Sequence, residues 1–494
     1  MSDPLILAID QGTTSSRALT FNSDGSTHAL KQIELPLIMP HHGWVEQDPE
    51  IIWQDIKTCV QHCIDSAQSD KRTVASIGIT NQRETTILWN KDTGAPIYNA
   101  IVWQDKRTAQ ICQDLRDQGV EKTLTQKTGL RLDPYFSATK IAWILDNVDG
   151  ARQHAKDGKI AFGTIDSFLL WRLTNGKTHA TDQTNAARTC LFNIHTKEWD
   201  KDLLKLFDIP SEILPNIHEN MHDFGTTAPE IFGSDITIGG MAGDQHAALI
   251  GQGCFEDGTI KSTYGTGCFM LMNTGETPKP SQHKLLTTLG YTVSGTTHYA
   301  LEGSIYTAGS LIQWLRDQLQ MITSADKTQA LATSVEDNGG VYIVPALTGL
   351  GAPYWEPESS GIITGLKRST TRAHIIRAAL EAQAYQTYDL IDAMQSDAGT
   401  TLTSIKIDGG LVNNDFAAQH IADILQISVH IPHTQEATAW GAAILAGIQS
   451  GIFTDLDEAG QHTQTLKTLT PQISKSERDA LYEGWKKAVA QALL

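Results

Sequence analysis

Asp10-Gln11-Gly12-Thr13-Thr14-Ser15-Ser16-Arg17 lies between two apolar runs, Leu5-Ile6-Leu7-Ala8-Ile9 before it and Ala18-Leu19-Thr20-Phe21 after it. Short β-rich runs joined by a glycine-bearing polar turn, with Asp24-Gly25 closing the second, predict strand, tight hairpin, strand. Such a hairpin can grip phosphate: Gly12 admits close backbone approach, successive N–H groups form an anion nest, the Thr and Ser hydroxyls donate, and Arg17 adds a fixed positive charge. Asp10 beside a polyphosphate would be repelled unless a cation stood between them, which points to Mg2+. The plainer alternative is a polar β-turn with no ligand.

Working outward, the pattern recurs once. Ile260-Lys261-Ser262-Thr263-Tyr264-Gly265-Thr266-Gly267-Cys268-Phe269-Met270-Leu271-Met272 repeats strand, Gly-Thr turn and strand, and the glycine content rises near Gly251 to Gly258. An internal repeat of this kind predicts two related α/β units, residues 1–250 and 251–494, whose hairpins could clamp a triphosphate from both sides. Around each hairpin the chain alternates strands and helices. Asp48-Pro49 predicts an N-cap and first turn, followed by Ile52, Ile56, Val60, Ile64 and Ala67 on one helical face. A helix is also expected over Ser304–Leu319, with Ala308, Leu311, Ile312 and Leu315 inward.

Three junctions are more polar than a buried strand end requires. Thr80-Asn81-Gln82-Arg83-Glu84-Thr85-Thr86 follows the strand Val74–Ile79, and strand ends are where α/β folds place ligands. Ala100-Ile101-Val102-Trp103-Gln104-Asp105 and Asp133-Pro134-Tyr135-Phe136-Ser137 bring aromatic rings to similar positions; Trp103 is either a pocket wall or a core aromatic. In Gly239-Gly240-Met241-Ala242-Gly243-Asp244-Gln245-His246-Ala247-Ala248-Leu249 a carboxylate sits among small residues, so Asp244 is either a helix cap or a functional acid. Later, Asp408-Gly409-Gly410 with Asn413 could seat a flat ring and ribose on backbone. Neither a Walker A sequence nor a Gly-rich protein-kinase loop occurs, so phosphate binding requires another architecture.

Composition narrows the class. Of 494 residues, 40% are hydrophobic and 19% charged, ordinary for a globular enzyme. A formal charge of −18 opposes nucleic-acid partners and anionic membranes, yet leaves a small anion such as ATP possible where N–H groups and Mg2+ hold it. Met1-Ser2-Asp3-Pro4 lacks a basic leader and no run spans a bilayer, so no stable membrane insertion and a cytoplasmic location are expected. The six cysteines are scattered, as suits reduced thiols, and Cys59-x-x-His62-Cys63 has no second Cys/His pair with which to bind a metal.

Tyr135-x-Ser137-x-x-Lys140-Ile141-x-Trp143, and Gly361-x-Ile363-x-Gly365-Leu366 through His374 to Glu381, resemble the two signatures of the FGGY carbohydrate kinases, a family within the actin, hexokinase and seventy-kilodalton chaperone superfamily. The resemblance implies an α/β fold of two duplicated actin-like (ribonuclease H-like) ATPase domains with an interdomain cleft: residues 1–250 with the polyol site and first phosphate hairpin, residues 251–494 with the second hairpin and adenosine site. Asp10 to Arg17, Asn81 to Thr86, Ala100 to Gln104, Asp133 to Ser137 and Thr263 to Phe269 together resemble the branch of that family that phosphorylates glycerol. Carried over residue by residue, this implies a glycerol pocket of Arg83, Glu84, Trp103, Tyr135, Asp244, Gln245 and Phe269, with Asp244 as general base. It implies that Asp10 and Asp244 flank Mg2+, that Thr13, Thr14, Ser15, Arg17 and Thr266 grip phosphate, and that Gly309, Gln313, Gly409 and Asn413 contact the nucleotide. The implied partners are glycerol and ATP/ADP, in a homo-oligomer, dimer or tetramer. One departure is His246, where relatives commonly carry a second Gln. Two rivals stand beside this reading: a kinase for a pentulose or another polyol, and a chaperone or filament protein that couples ATP to protein binding.

Overall fold

In a computed structural model of the chain, residues 3–356, 358–433 and 436–494 are described; Met1 and Ser2, the start of the segment read for a leader, lie outside them. The opening hairpin forms as expected from β1 (Leu5–Gln11) and β2 (Ser15–Phe21). β1 is buried along its whole length, which is why its sequence is a continuous apolar run rather than an alternating one. With β3 (Thr27–Glu34), β4 (Val74–Asn81) and β5 (Thr237–Gly243) it makes a five-stranded sheet of order β5-β4-β1-β2-β3. β1 pairs antiparallel with β2 and parallel with β4, and β4 pairs parallel with β5.

The second half repeats this plan. Its sheet contains β6 (Ile260–Tyr264), β7 (Cys268–Asn273), β8 (Leu286–Val293), β9 (Thr296–Ile305), β10 (Ser404–Gly409), β11 (Ser428–Pro432) and β12 (Thr465–Leu469), in the order β8-β9-β7-β6-β10-β11-β12. β6 and β7 are the antiparallel hairpin, β10 lies parallel to β6, and β11 parallel to β10. Each hairpin loop opens on a glycine whose N–H donates forward to a loop carbonyl, three residues on in the first and two residues on in the second. Gly12 N–H donates to Ser15 O at 2.9 Å, and Gly265 N–H donates to Gly267 O at 2.8 Å, so Gly12-Thr13-Thr14 and Gly265-Thr266-Gly267 occupy corresponding places in the two sheets.

Helix α1 (Pro49–Ser69) begins as read: Asp48 Oδ1 accepts from Glu50 N–H at 2.8 Å and Pro49 opens the first turn. It buries Ile52, Ile56, Cys59, Val60, Cys63 and Ile64, while His62 is exposed; the two thiols donate to Ser16 O and Ala18 O, so the cluster is packing. Helix α2 (Ser137–Asn147) follows the Tyr135 junction and α3 (Asp244–Gly251) follows β5.

The expected helix over Ser304–Leu319 is shorter. Ser304 and Ile305 extend β9, paired with Phe269 and Cys268, and α4 spans Gly309–Asp317. Hairpin carbonyls set that start: Ala308 and Ser310 N–H donate to Thr266 O, and Gly309 N–H donates to Gly265 O. Pairing with β7 satisfies the backbone before Gly309 and overrides the helical spacing of apolar residues. Helix α5 (Arg372–Ala398) carries the second signature, its Thr371 cap bonded reciprocally with His374 and its Glu381 accepting from Arg377 and Asn338.

Helix α6 (Ala437–Gln449) comes from the second half of the chain but packs on the first-half sheet. Its Ala439, Trp440, Ala442, Ile444 and Leu445 share one core with Ile6, Ala8, Leu19 and Phe21. It also crosses α3 backbone to backbone. A Cβ on Gly441 would lie 1.8 Å from Ala247 O, and one on Gly251 1.9 Å from Ala437 O, so only glycine fits at this crossing.

Candidate active site

The polar junction after β4 is the centre of the site. Arg83 is buried, its side chain 2% exposed, and its Nε lies 3.1 Å from Asp244 Oδ1 at the start of α3. Its Nη2 donates to Tyr135 Oη at 3.3 Å, and its guanidinium sits over the Phe269 ring at 5.9 Å. Trp103 meets Tyr135 at 5.5 Å and Phe269 at 6.2 Å, both edge to face. All three rings are half-buried, so Trp103 is not a core aromatic. Its indole Nε1 donates to Thr13 Oγ1 at 2.9 Å, tying the aromatic cluster to the first hairpin.

The first family signature acquires a local cause here. Lys140 is fully buried, and its Nζ donates to the carbonyls of Pro134 at 2.5 Å, Tyr135 at 2.6 Å and Phe136 at 3.1 Å. Ser137 Oγ donates to Glu84 O at 3.0 Å. One buried ammonium thus collects the carbonyls of the turn that presents Tyr135, and one hydroxyl joins that turn to Glu84. Burial pushes the Lys140 amine down to about 8.

Asp244 is not an ordinary cap. It is the first residue of α3, after Gly243, and its Oδ1 accepts from Gln245 N–H at 2.6 Å. Its side chain is 29% exposed. Burial pushes its carboxyl above the usual range, Arg83 and Lys261 oppose that, and Glu84 adds to it. Gln245 is joined to the site through Lys261, whose Nζ bonds Gln245 Oε1. His246 is wholly buried behind this centre with neither ring nitrogen hydrogen-bonded, and burial holds it well below its usual range, hence neutral.

On the first hairpin, Asp10 and Arg17 face each other as register partners and form an ion pair. Arg17 Nη1 also donates to Glu436, at 2.7 Å, beside the start of α6. The charge expected at a phosphate is therefore shared between two carboxylates. Thr14 and Thr266 are exposed at the tips of their hairpins, with Ser15 half-buried. Gly309 lies against the second hairpin, since a Cβ there would stand 2.6 Å from Gly265 O. Gly409 pairs with Tyr264 at the end of β10 and adopts φ +89°, where a Cβ would meet Tyr264 O at 2.3 Å. Gln313 and Asn413 are exposed, and Asn413 borders a cavity of about 200 Å³ with Asp408, Val412 and Ile431.

The fold thus gathers Arg83, Glu84, Trp103, Tyr135, Asp244 and Phe269 into one cluster, with Gln245 attached through Lys261 and Thr13 through Trp103. Thr266, Gly309 and Gly409 meet around the second hairpin. Three charged residues central to the cluster escaped the sequence reading. Arg188 and Glu302 are fully buried, Arg188 bonding Glu84 and Glu302 bonding Arg83; Lys261 is buried on β6. The signal that could have found them is a lone charge inside an apolar stretch, as in Tyr299-Ala300-Leu301-Glu302-Gly303.

The cluster draws residues from both halves of the duplicated α/β fold. The sequence matches the N-terminal domain of the FGGY family of carbohydrate kinases over residues 5–251 and its C-terminal domain over residues 260–450. The chain belongs to the FGGY family of carbohydrate kinases. It is 57% identical to the glycerol kinase of Nitrosomonas eutropha, covering 100% of this chain and 99% of that protein. It is 54% identical to the glycerol kinase of Marinomonas sp., covering 98% of each. Among solved structures, the Plasmodium falciparum glycerol kinase with ADP superposes with a TM-score of 0.94 at 35% identity, over 99% of this chain and 98% of that one. A xylulose kinase from Lactobacillus acidophilus shares the fold, with a TM-score of 0.87 at 24% identity.

Proposed function

We propose that the chain transfers the γ-phosphoryl group of ATP to glycerol, giving sn-glycerol 3-phosphate and ADP. The observation that carries this reading is the contact of Arg83 Nε with Asp244 Oδ1 at 3.1 Å beneath three half-buried rings. Rings cover a carbon skeleton while a fixed guanidinium and two carboxylates bind its hydroxyls. A pentulose kinase would share the hairpins, but the full-length similarity to glycerol kinases favours the shorter polyol.

In this mechanism Asp244 accepts the proton of a terminal hydroxyl as that oxygen attacks the γ-phosphorus in line. Arg83 donates to a second hydroxyl and keeps the Asp244 carboxylate turned toward the first. The N–H groups of Gly12-Thr13-Thr14 and Gly265-Thr266-Gly267 are suited to hold the phosphates from the two halves, with Arg17 stabilising the transferring charge. Gly309 and Gly409 leave bare backbone where the rest of the nucleotide would lie, near Gln313 and Asn413. Water is also a nucleophile, and closure of the two halves on the polyol would exclude it.

The donors present fit Mg2+. Asp10 and Asp244 are hard oxygen donors standing apart, with no cluster of three metal-ligating side chains among the described residues, and Mg2+ takes one or two carboxylates with phosphate oxygens and water. Asp10 and Asp244 would hold it, and when bound it would neutralise charge on the β- and γ-phosphates. The proposed division at residues 250 and 251 leaves a hairpin in each domain, with α6 as the element that crosses back. Among the described residues no helix is long and apolar enough to cross a membrane.

The test is ADP release measured with a panel of polyols and ketoses. Turnover with glycerol that far exceeds turnover with xylulose or without acceptor is the expected result. Equal or greater turnover with a pentulose would overturn the substrate, and acceptor-independent hydrolysis would favour the chaperone or filament class.

A further inference from the structure

Behind the polyol face lies a closed ring of four buried charges. Glu302, 1% exposed on β9, accepts from Arg83 Nη1 at 2.5 Å and from Arg83 Nη2 at 3.1 Å. The same carboxylate accepts from Arg188 Nη2 at 2.9 Å and Nη1 at 3.2 Å. Arg188, 0% exposed, donates through Nε to Glu84 Oε1 at 2.7 Å, and Glu84 Oε1 lies 3.8 Å from Arg83 Nε. Two cations and two anions alternate around the ring, so its net charge is zero.

We infer that Glu302 and Arg188 are positioning residues of the polyol site, fixing the orientation of Arg83 and Glu84 without touching substrate. The inference rests on the glycerol reading above. Glu302 takes both terminal nitrogens of Arg83, which leaves Nε as the edge that faces Asp244. Without it, Arg83 would be held against rotation onto Asp244 by its longer bond to Tyr135 Oη at 3.3 Å, and the two guanidiniums would repel each other. Arg188 does for Glu84 what Glu302 does for Arg83. Its planar fork reaches two carboxylates at once, which a lysine ammonium on a flexible stem does not reproduce. The placement also spans the chain. Arg83, Glu84 and Arg188 come from the first half, whereas Glu302 lies on a strand of the second-half sheet, opposite Leu271 of β7, the strand that carries Phe269. The polyol residues are thus oriented by the sheet that bears the second phosphate hairpin.

The experiment is a steady-state comparison of glycerol KM, ATP KM and kcat in the full-length enzyme for Arg83→Ala, Glu302→Gln, their double variant and Arg188→Lys. Expected are an increase of about tenfold or more in glycerol KM for Glu302→Gln and Arg188→Lys, with ATP KM changed less than about twofold. Because Glu302 acts through Arg83, the double variant should be no worse than Arg83→Ala alone. A purely structural role would instead change both KM values or kcat, and the two single effects would multiply. If Glu302→Gln does not fold, Arg188→Lys decides by the same readout, and an unchanged glycerol KM there overturns the inference. Arg83→Ala with unchanged glycerol KM would overturn the polyol reading itself, whereas a strong Arg83→Ala effect beside silent Glu302→Gln and Arg188→Lys would overturn only the positioning role.

Discussion

Asp244 Oδ1 lies 3.1 Å from Arg83 Nε, while the other two nitrogens of that guanidinium are taken by Glu302. The carboxylate proposed as base therefore faces one edge of a cation whose two terminal nitrogens are held by Glu302. This fixes both where the proton acceptor points and how strongly its charge is compensated.

Asp244→Asn should abolish most turnover and leave glycerol binding largely intact. The amide keeps shape and one acceptor but cannot take a proton, and loss of a general base costs roughly 100-fold to 10,000-fold. Single-turnover rates with direct glycerol binding separate the two effects; a variant within a few-fold of the parent rate would remove Asp244 from this role.

The acid limb of the rate profile should lie above that of an ordinary aspartate. Burial raises the Asp244 carboxyl from 3.8, and the base works only when deprotonated, so activity falls as the pH drops through this raised value. A kcat/KM profile over pH checks this. Replacing Lys261, which lowers the same group, with Met should move the limb to still higher pH. A limb at or below 3.8 would contradict both statements.

Glu302 should contribute an acid-sensitive share of stability. Burial alone would raise its carboxyl, but Arg188 and Arg83 outweigh that and hold it at about 2, against 4.5 when unpaired. A depressed folded-state value stabilises fully above the unfolded one and is lost as pH falls from 4.5 toward about 2, on the order of 3 kcal/mol in all. The gap in thermal midpoint between the parent and Glu302→Gln should accordingly be widest near neutrality and shrink below pH 4.5. A gap independent of pH would mean that the ring contributes no charge-dependent stability.

Gly441→Ala should destabilise the whole chain, despite alanine being the better helix former. The added Cβ would sit 1.8 Å from Ala247 O, forcing α3 and α6 apart at a cost of about 1–3 kcal/mol or more. Because Asp244 opens α3, kcat should fall as well. Thermal unfolding and turnover on one preparation test the pair of effects, and a midpoint equal to or above that of the parent would show that the crossing has slack.

Much of this protein is determined locally and can be read without coordinates. The Asp10–Arg17 hairpin, its repeat at Gly265-Thr266-Gly267, the capped helix after Asp48 and the polar junctions at Arg83, Trp103 and Tyr135 are written in neighbouring residues, because turns, caps and strand periodicity depend on short-range sterics and hydrogen bonds. Family signatures then supplied roles for side chains at those junctions. What only the tertiary structure decided is where distant charges and backbones meet. Arg188 and Glu302, 114 positions apart, form one ring with Arg83 and Glu84. Ser304 joins a strand because β7 lies beside it, and α6 returns from the second half of the chain to cover the first sheet. No local pattern encodes these, since a buried charge is tolerated, and a glycine crossing required, only by partners that the fold brings from elsewhere in the chain.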